Sequence, residues 1–267
     1  MSIAFTKMHG NGNDFILIDE MNAVIIPQEM KPEFAKVYCD RKFGIGADGV
    51  LFISKPDVDK AVVRMQLFQP DGSEAEMCGN GIRCLAKYAF DHEYAKTNKF
   101  KVQTKAGVLT VRGSYDNDGD YMASIEMGEA VFGKDAKIDG MTVTSVNTGV
   151  PHAVVFVDDV EAVDINAKAP GIRHNKIYPQ GTNVNFVQVT GADEITIRTF
   201  ERGVEGETLS CGTGATASAI AAASKKLVSG EVVHVTTAGG PLDIDVSGKI
   251  LVMTGPAETV YDGEINF

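Results

Sequence analysis

No run of lysine and arginine interrupts this chain, and 36 acidic against 25 basic side chains leave a formal charge of −11. A nucleic-acid backbone or an anionic membrane is recognised through a basic face, so neither is an expected partner, although a local basic pocket for a small anion stays open. No apolar run approaches the ~18 residues that a membrane-spanning helix takes. The opening Met1-Ser2-Ile3-Ala4-Phe5-Thr6-Lys7-Met8-His9 lacks the charged-then-apolar order of a secretory leader. Cysteine occurs four times, at 39, 78, 84 and 211, too seldom for a disulfide scaffold in 267 residues. No C-x2-C pair or paired histidines accompany these cysteines to complete a metal set. The expectation is a cytoplasmic protein with reduced thiols that acts on a small molecule.

Against those absences stands a repetition. Cys78-Gly79-Asn80-Gly81 returns as Cys211-Gly212-Thr213-Gly214, 133 positions later in a chain of 267 (78 to 211). The same offset carries Ala86 to Ala219, Val102 to Val235, Thr104 to Thr237, Gly107 to Gly240 and Leu109 to Leu242. Upstream, Phe68 precedes its cysteine by ten residues and Phe200 by eleven, so the second copy has gained one residue. The chain reads as two homologous halves, each large enough for its own core. The turn-rich Asp116-Asn117-Asp118-Gly119-Asp120 places their border near residue 118, giving halves 1–118 and 119–267, with a closing strand near 256–267 that can return to the first half.

The pattern along each half is α/β and rich in strands. Segments 3–8, 15–18, 49–53 and 61–68 read as strands, and Lys31 to Asp40 as a helix. After Cys78, apolar Ile82, Leu85, Ala86, Ala89 and Phe90 recur with the helical period, whereas Ala215 to Ala223 is small and apolar almost all round, a helix enclosed by its own half. Each half is expected to wrap a curved sheet or barrel around one central helix. Gly44-Ile45-Gly46-Ala47-Asp48-Gly49 matches G-x-G-x-x-G, but the dinucleotide fingerprint follows a strand and opens a helix. Here a helix precedes and a strand follows, so nicotinamide binding is set aside.

The doubled motif has its own chemistry. A helix opens on N–H groups without intrahelical partners and on a partial positive charge. Flanking glycines let an anion come close to that backbone, so Gly79-Asn80-Gly81 and Gly212-Thr213-Gly214 each suit one carboxylate oxygen. The same field lowers the pKa of a thiol placed there. If the two motifs face each other across a cleft, one thiolate removes the α-hydrogen of a bound amino acid and the opposite thiol returns a proton to the other face. That inverts the stereocentre with neither metal nor pyridoxal cofactor, the helix ends stabilising the enolate-like intermediate. Cys39 and Cys84, outside the repeat, read as small buried hydrophobes.

Met8-His9-Gly10-Asn11-Gly12-Asn13-Asp14-Phe15, Asp71-Gly72-Ser73-Glu74 through Cys84, Gly181-Thr182-Asn183-Val184-Asn185-Phe186 and Glu201-Arg202-Gly203 through Gly214 together resemble the diaminopimelate epimerase family, from Met8 to the closing Val260-Tyr261-Asp262-Gly263. The resemblance implies two similar α/β halves with the active site between them, Cys78 and Cys211 as catalytic acid and base, and no cofactor. It implies Gly79, Asn80, Gly212 and Thr213 as the carboxylate cradle, Asn13, Asn183, Glu201 and Arg202 as substrate positions, and His152 with Glu201 as groups that tune the cysteines. Arg202 suits the distal carboxylate, which a guanidinium grips bidentately. Tyr261 matches a dimer contact, so a homodimer is expected.

The chain departs from familiar members of that family at Gln69, Val150 and Gly49, and carries an extra residue, Glu205 or Gly206, between Arg202 and Glu207. These changes bear on the grip at the distal end of the substrate, and Gln69 is kept as a substrate-binding position. Two other readings compete. A racemase of proline or hydroxyproline type has no use for Arg202, and a thiol redox or ligand-binding protein would need a reversible disulfide between Cys78 and Cys211.

Overall fold

The computed structural model describes residues 2–267. The chain forms two compact units, one running to Ile125 and reclaiming Gly255–Phe267, the other Glu126–Thr254. The border thus falls after Ile125 rather than near residue 118. The Asp116–Asp120 stretch is a hairpin tip inside the first unit: Asp116 Oδ1 accepts the amides of Asp118 and Asp120 at 3.0 and 2.9 Å. Gly119 supplies a positive φ of 89° there. The last strand, Glu258–Asn266, lies antiparallel to the first, Ser2–Gly10.

Each unit repeats one element order. In the first, Ser2–Gly10 and Asn13–Glu20 form a hairpin, helix α1 (Lys31–Tyr38) crosses over, and Gly49–Ser54 returns parallel to Asn13–Glu20. Val63–Phe68 then turns back antiparallel, helix α2 (Gly79–Asp91) crosses, and Lys99–Thr104 lies parallel to Val63–Phe68. The second unit runs through Met141–Asn147, Pro151–Phe156, α3 (Ile165–Arg173), Asn183–Val189, Glu194–Glu201, α4 (Gly212–Ser224) and Val232–Thr237 with the same parallel and antiparallel pairings. Each cysteine therefore precedes the second crossover helix of its unit. Parallel strands need such crossovers, and helices on both faces explain the nearly continuous apolar runs Phe15–Ile18 and Val50–Ile53, all buried. Alternate residues serve the two faces: Ile16, Ile18, Val50, Phe52 and Phe68 pack with Phe34 of α1 in one cluster. Phe15 and Leu51 face the start of α2, both lying by Gly81.

The helices follow from local sequence. Pro32 sits in the first turn of α1, where a missing N–H costs nothing. Along α2, Ile82, Leu85, Ala86 and Ala89 are fully buried. In α4, Ala215, Ala217, Ala219, Ala221 and Ala222 are buried on every side. Alanine is the best helix former and the smallest that still packs, so strands close around this helix. The strand Gly49–Ser54 follows the Gly44–Gly49 loop and α1 precedes it, the order opposite to a dinucleotide fingerprint. No helix among the described residues is long and apolar enough to cross a membrane.

One buried ion pair ties α1 to its sheet. Lys31 Nζ donates to Glu20 Oε2 at 2.6 Å and to Gln66 Oε1 at 3.0 Å, and lies 4.3 Å from the Phe52 ring centroid. Glu20 Oε1 accepts the amides of Ile25 and Ile26. Removing the cation alone strands a buried carboxylate, so Lys31→Met is expected to cost about 3–5 kcal/mol of stability. The check is urea unfolding: Lys31→Met should lower the midpoint strongly and Lys31→Met with Glu20→Gln should recover part of the loss.

Candidate active site

In the first unit, Cys78 is the cap residue of α2, with extended backbone (φ −141°, ψ 121°). Its sulfur accepts the Gly81 amide at 3.4 Å, and its thiol donates to Asn13 Oδ1 at 3.6 Å. One bond favours thiolate, the other thiol, so the site accommodates both states. Asn13 Oδ1 also accepts from Asn80 Nδ2 at 3.2 Å, while Asn13 Nδ2 donates to Asp48 at 2.7 Å. Asp48 and Asp14 share Arg41, at 2.7 and 2.6 Å, and Asp14 also takes Lys7 at 2.6 Å. Burial pushes the Asp14 carboxyl up, but Arg41 and Lys7 outweigh it and hold it at about 2. Asn13 is thus fixed by a charged cluster on one side and presents its oxygen to the thiol on the other.

Arg83, one turn into α2, is buried and fastens the first turn to its surroundings. Its guanidinium donates to Asn11 Oδ1 at 2.5 Å, to the Pro256 carbonyl at 3.0 Å and to the Gly79 carbonyl at 3.5 Å. A Cβ on Gly10 would stand 3.0 Å from Arg83 Nη2 and 3.2 Å from the Asn80 carbonyl, so glycine there lets the Asn11-Gly12 turn close on the helix start. Burial lowers Arg83 to about 10, with the thiols of Cys84 and Cys78 acting the other way; it remains a cation at neutral pH.

In the second unit, Cys211 caps α4 with the same extended backbone (φ −126°, ψ 107°) and lies 3.5 Å from Thr213 Oγ1. Thr148 donates to the Thr213 carbonyl at 3.1 Å, tying the loop before His152 to the cradle. His152 is fully buried: Nδ1 pairs with Asn185 Nδ2 at 3.1 Å, and Nε2 has no hydrogen-bond partner among the described residues. Burial first, then the charge of Arg202, lower its pKa to about 3, so the ring is neutral at physiological pH. Glu201 ends its strand half-buried, accepting Thr208 at 2.9 Å. Arg202 follows, half-buried, with a guanidinium N–H 3.4 Å from the Gln180 carbonyl.

Not every expected ligand stands beside a thiol. Asn183 engages both ends of its amide with backbone, donating to the Pro151 carbonyl at 3.2 Å and accepting the Arg202 amide at 2.8 Å. Gln69 is exposed and accepts Ser73 Oγ at 2.9 Å within its own turn. Gly49 answers to packing, since a Cβ would lie 2.7 Å from Leu67 Cδ1 and 3.1 Å from the Phe68 carbonyl. Half-buried Val150 accepts the Thr148 amide in the three-residue loop before Pro151. Glu205, in the stretch with the extra residue, takes a positive φ of 56° and ion-pairs with Arg173 at 2.6 Å, so it staples the Arg202 turn to α3. Tyr261 lies on the exposed last strand with its ring edge-on to Phe5, centroids 5.9 Å apart. Cys39 and Cys84 are buried, and burial pushes both thiols up to about 12. Sequence reading gave no role to Arg83, Asn11 or Asn185. For Asn185 the signal was a polar residue at an alternate position of an otherwise buried run.

Each unit by itself is an α/β fold that opens its second crossover helix on a glycine-framed cysteine, and the same fold occurs in solved proteins. A phenazine biosynthesis protein of the PhzF family from Bacillus anthracis superposes with a TM-score of 0.79 at 16% identity, covering 100% of both chains. A probable proline racemase from Agrobacterium radiobacter gives 0.72 at 16%, over 99% of this chain and 93% of that one. At such identities the likeness is one of fold. Sequence is more specific: the diaminopimelate epimerase family model matches residues 5–133 and 144–260. A diaminopimelate epimerase from Methanocella arvoryzae is 52% identical over 99% of this chain and 97% of its own. Another from Archaeoglobus fulgidus is 47% identical over 98% and 96%. The chain belongs to the diaminopimelate epimerase family.

The neutral, buried His152 has a consequence for stability. An unfolded histidine binds its proton near 6.5 whereas the folded one waits until about 3, so between those values the unfolded chain holds more protons and stability falls as pH falls. Asp14 adds a loss of the same sign only below about 3.8. Urea unfolding at pH 7 and 4.5 is expected to show a smaller loss for His152→Gln than for the parent protein. Equal losses would contradict a buried neutral imidazole.

Proposed function

We propose that this chain interconverts LL- and meso-2,6-diaminopimelate by cofactor-independent proton transfer at one α-carbon, with Cys78 and Cys211 as the two bases. The observation that carries the reading is the cysteine cap on both α2 and α4, each followed by glycine at the first and third helical positions. The substrate α-carboxylate takes the helix-start amides of Gly79-Asn80 and Gly212-Thr213. One thiolate removes the α-hydrogen, and the electron pair delocalises onto the carboxylate as an enolate-like dianion that the two helix ends stabilise. The other thiol delivers its proton to the opposite face. The stereocentre is inverted, and the two sulfurs have exchanged protonation states, ready for the reverse reaction.

The remaining residues fit supporting roles. Asn13 accepts from Cys78 when it is a thiol and the Gly81 amide supports it as a thiolate. His152 is too weak a base to compete for the α-hydrogen at neutral pH and serves instead through its N–H. Half-buried Arg202 meets the distal carboxylate, and Glu201 balances charge beside it. A substrate of proline type would leave Arg202 without a partner, which ranks that reading second. The chain works as a homodimer through the strand Glu258–Asn266, where Val260 is 53% and Tyr261 45% exposed.

Reduced protein incubated with LL-diaminopimelate in deuterated water, without added cofactor, is expected to yield meso product carrying one α-deuterium. Cys78→Ala and Cys211→Ala should each abolish net epimerisation. Full activity in either variant would sink the two-base mechanism, and exchange into proline but not diaminopimelate would move the assignment to the racemase. Sedimentation velocity should find a dimer whose dissociation is promoted by Tyr261→Asp; a monomeric parent protein would remove the dimer from the proposal.

A further inference from the structure

The two units can be compared with each other position by position, because their strand registers correspond. In the first unit Leu51 pairs with Leu17 on one side and Leu67 on the other, and Phe15 pairs with Gly49. In the second, Asn185 pairs with Val154 and Thr199, and His152 with Asn183. The glycines of the two cysteine motifs confirm the match: a Cβ on Gly81 would meet Leu51 at 3.3 Å and Phe15 at 3.5 Å, and one on Gly214 would meet Asn185 Oδ1 at 2.5 Å. Phe15, Leu51 and Leu67 therefore correspond to His152, Asn185 and Thr199.

All six side chains are buried, none more than 4% exposed. The first unit fills this layer with three apolar side chains, so the fold itself does not call for polar ones, and burying polar groups costs unless they are bonded. The second unit bonds them in series. Thr199 Oγ1 donates to Asn185 Oδ1 at 2.9 Å, and Asn185 Nδ2 meets His152 Nδ1 at 3.1 Å. With its oxygen committed to the threonine, the amide offers the ring only N–H, so Nδ1 accepts and the ring proton is left on Nε2. That Nε2 is the buried atom without a partner among the described residues. The row ends in a donor, and its amide oxygen abuts the first turn of α4 beside Cys211. The charged groups on the adjoining strand end are Arg202 and Glu201, and Arg202 also opposes protonation of the ring.

We propose that Asn185, held by Thr199, is a positioning residue that fixes His152 as the Nε2–H tautomer, so that this imidazole meets the reacting group as a neutral hydrogen-bond donor. The kinetic half of the test rests on the epimerase reading; the tautomer half does not.

Long-range proton–nitrogen correlation on 15N-histidine-labelled protein reads the tautomer directly, with His152 assigned by loss of its signals in His152→Gln. The parent protein should carry the proton on Nε2. Asn185→Asp keeps the shape but replaces the donor with an acceptor, and should move the proton to Nδ1. Its kcat for diaminopimelate should fall about 10²-fold, the scale of losing one preorganised donor, with KM little changed. Asn185→Leu, which installs the residue found at Leu51, guards against misfolding of the aspartate variant and should lose the fixed tautomer with a similar fall in kcat. A parent ring protonated on Nδ1, or an Asn185→Leu protein with the parent's tautomer and turnover, would overturn the inference. A parent protein inactive on every amino acid but bearing Nε2–H would instead remove the functional reading and leave the inference intact.

Discussion

A helix start that must be both buried and bare governs each unit. The amides of Gly79–Gly81 and Gly212–Gly214 can meet a ligand only if no side chain covers them, yet the helices behind them pass through the centre of their units. Glycine at the third position resolves the conflict: a Cβ on Gly81 would stand 3.3 Å from Leu51, and one on Gly214 only 2.5 Å from Asn185 Oδ1, so a side chain there would have to displace those neighbours. Cysteine at the cap follows from the same geometry. Its extended backbone ends the incoming strand direction, and its sulfur is placed at the helix start, where the dipole favours negative charge. The parallel strand pairs on either side exist because a crossover helix must join them, which is how a helix comes to start at this depth.

The features that depend on local sequence were legible in it. A tetrapeptide repeated at half the chain length exposed the duplication, the period of Ile82, Leu85, Ala86 and Ala89 exposed α2, and the evenly apolar Ala215 to Ala223 exposed an enclosed α4. What depends on pairing between distant segments was not. Asp116–Asp120 carries every local mark of a break in the chain, but a hairpin tip and a border between units look alike to local composition, and only the pairing of Gly107–Tyr115 with Tyr121–Gly128 separates them. Asn183 sits in a motif shared with the family, while the use of its amide by Pro151 and Arg202 becomes visible only once two strands lie parallel. Gly49 looked like a missing ligand because the space claimed by Leu67 cannot be read from neighbours in sequence.

Duplication gave the two units one scaffold and left their thiols in different company. Cys78 has an amide oxygen for its proton and, five residues on, the buried cation of Arg83. Cys211 has the Thr213 hydroxyl, and its unit holds an imidazole that stays neutral. At the position of Arg83 the second helix has Thr216, whose hydroxyl is turned back to the Gly212 carbonyl at 2.9 Å. The fold is common to both units, so the difference lies in the side chains placed on it.

For the proposed reaction that difference has a natural sense. The two configurations at a single carbon have similar energies, so a two-base enzyme has to run in both directions, and each sulfur must act as a base in one and an acid in the other. A symmetric site would meet an asymmetric substrate badly, because the two faces of an α-carbon in a molecule with a second stereocentre are not equivalent. In the proposed reaction, charge near Cys78 and a neutral imidazole in the unit of Cys211 let the protein adjust each thiolate separately while the two helix starts stay alike. A neutral imidazole suits that task, because an N–H donor supports the anion and still lets the thiol form compete.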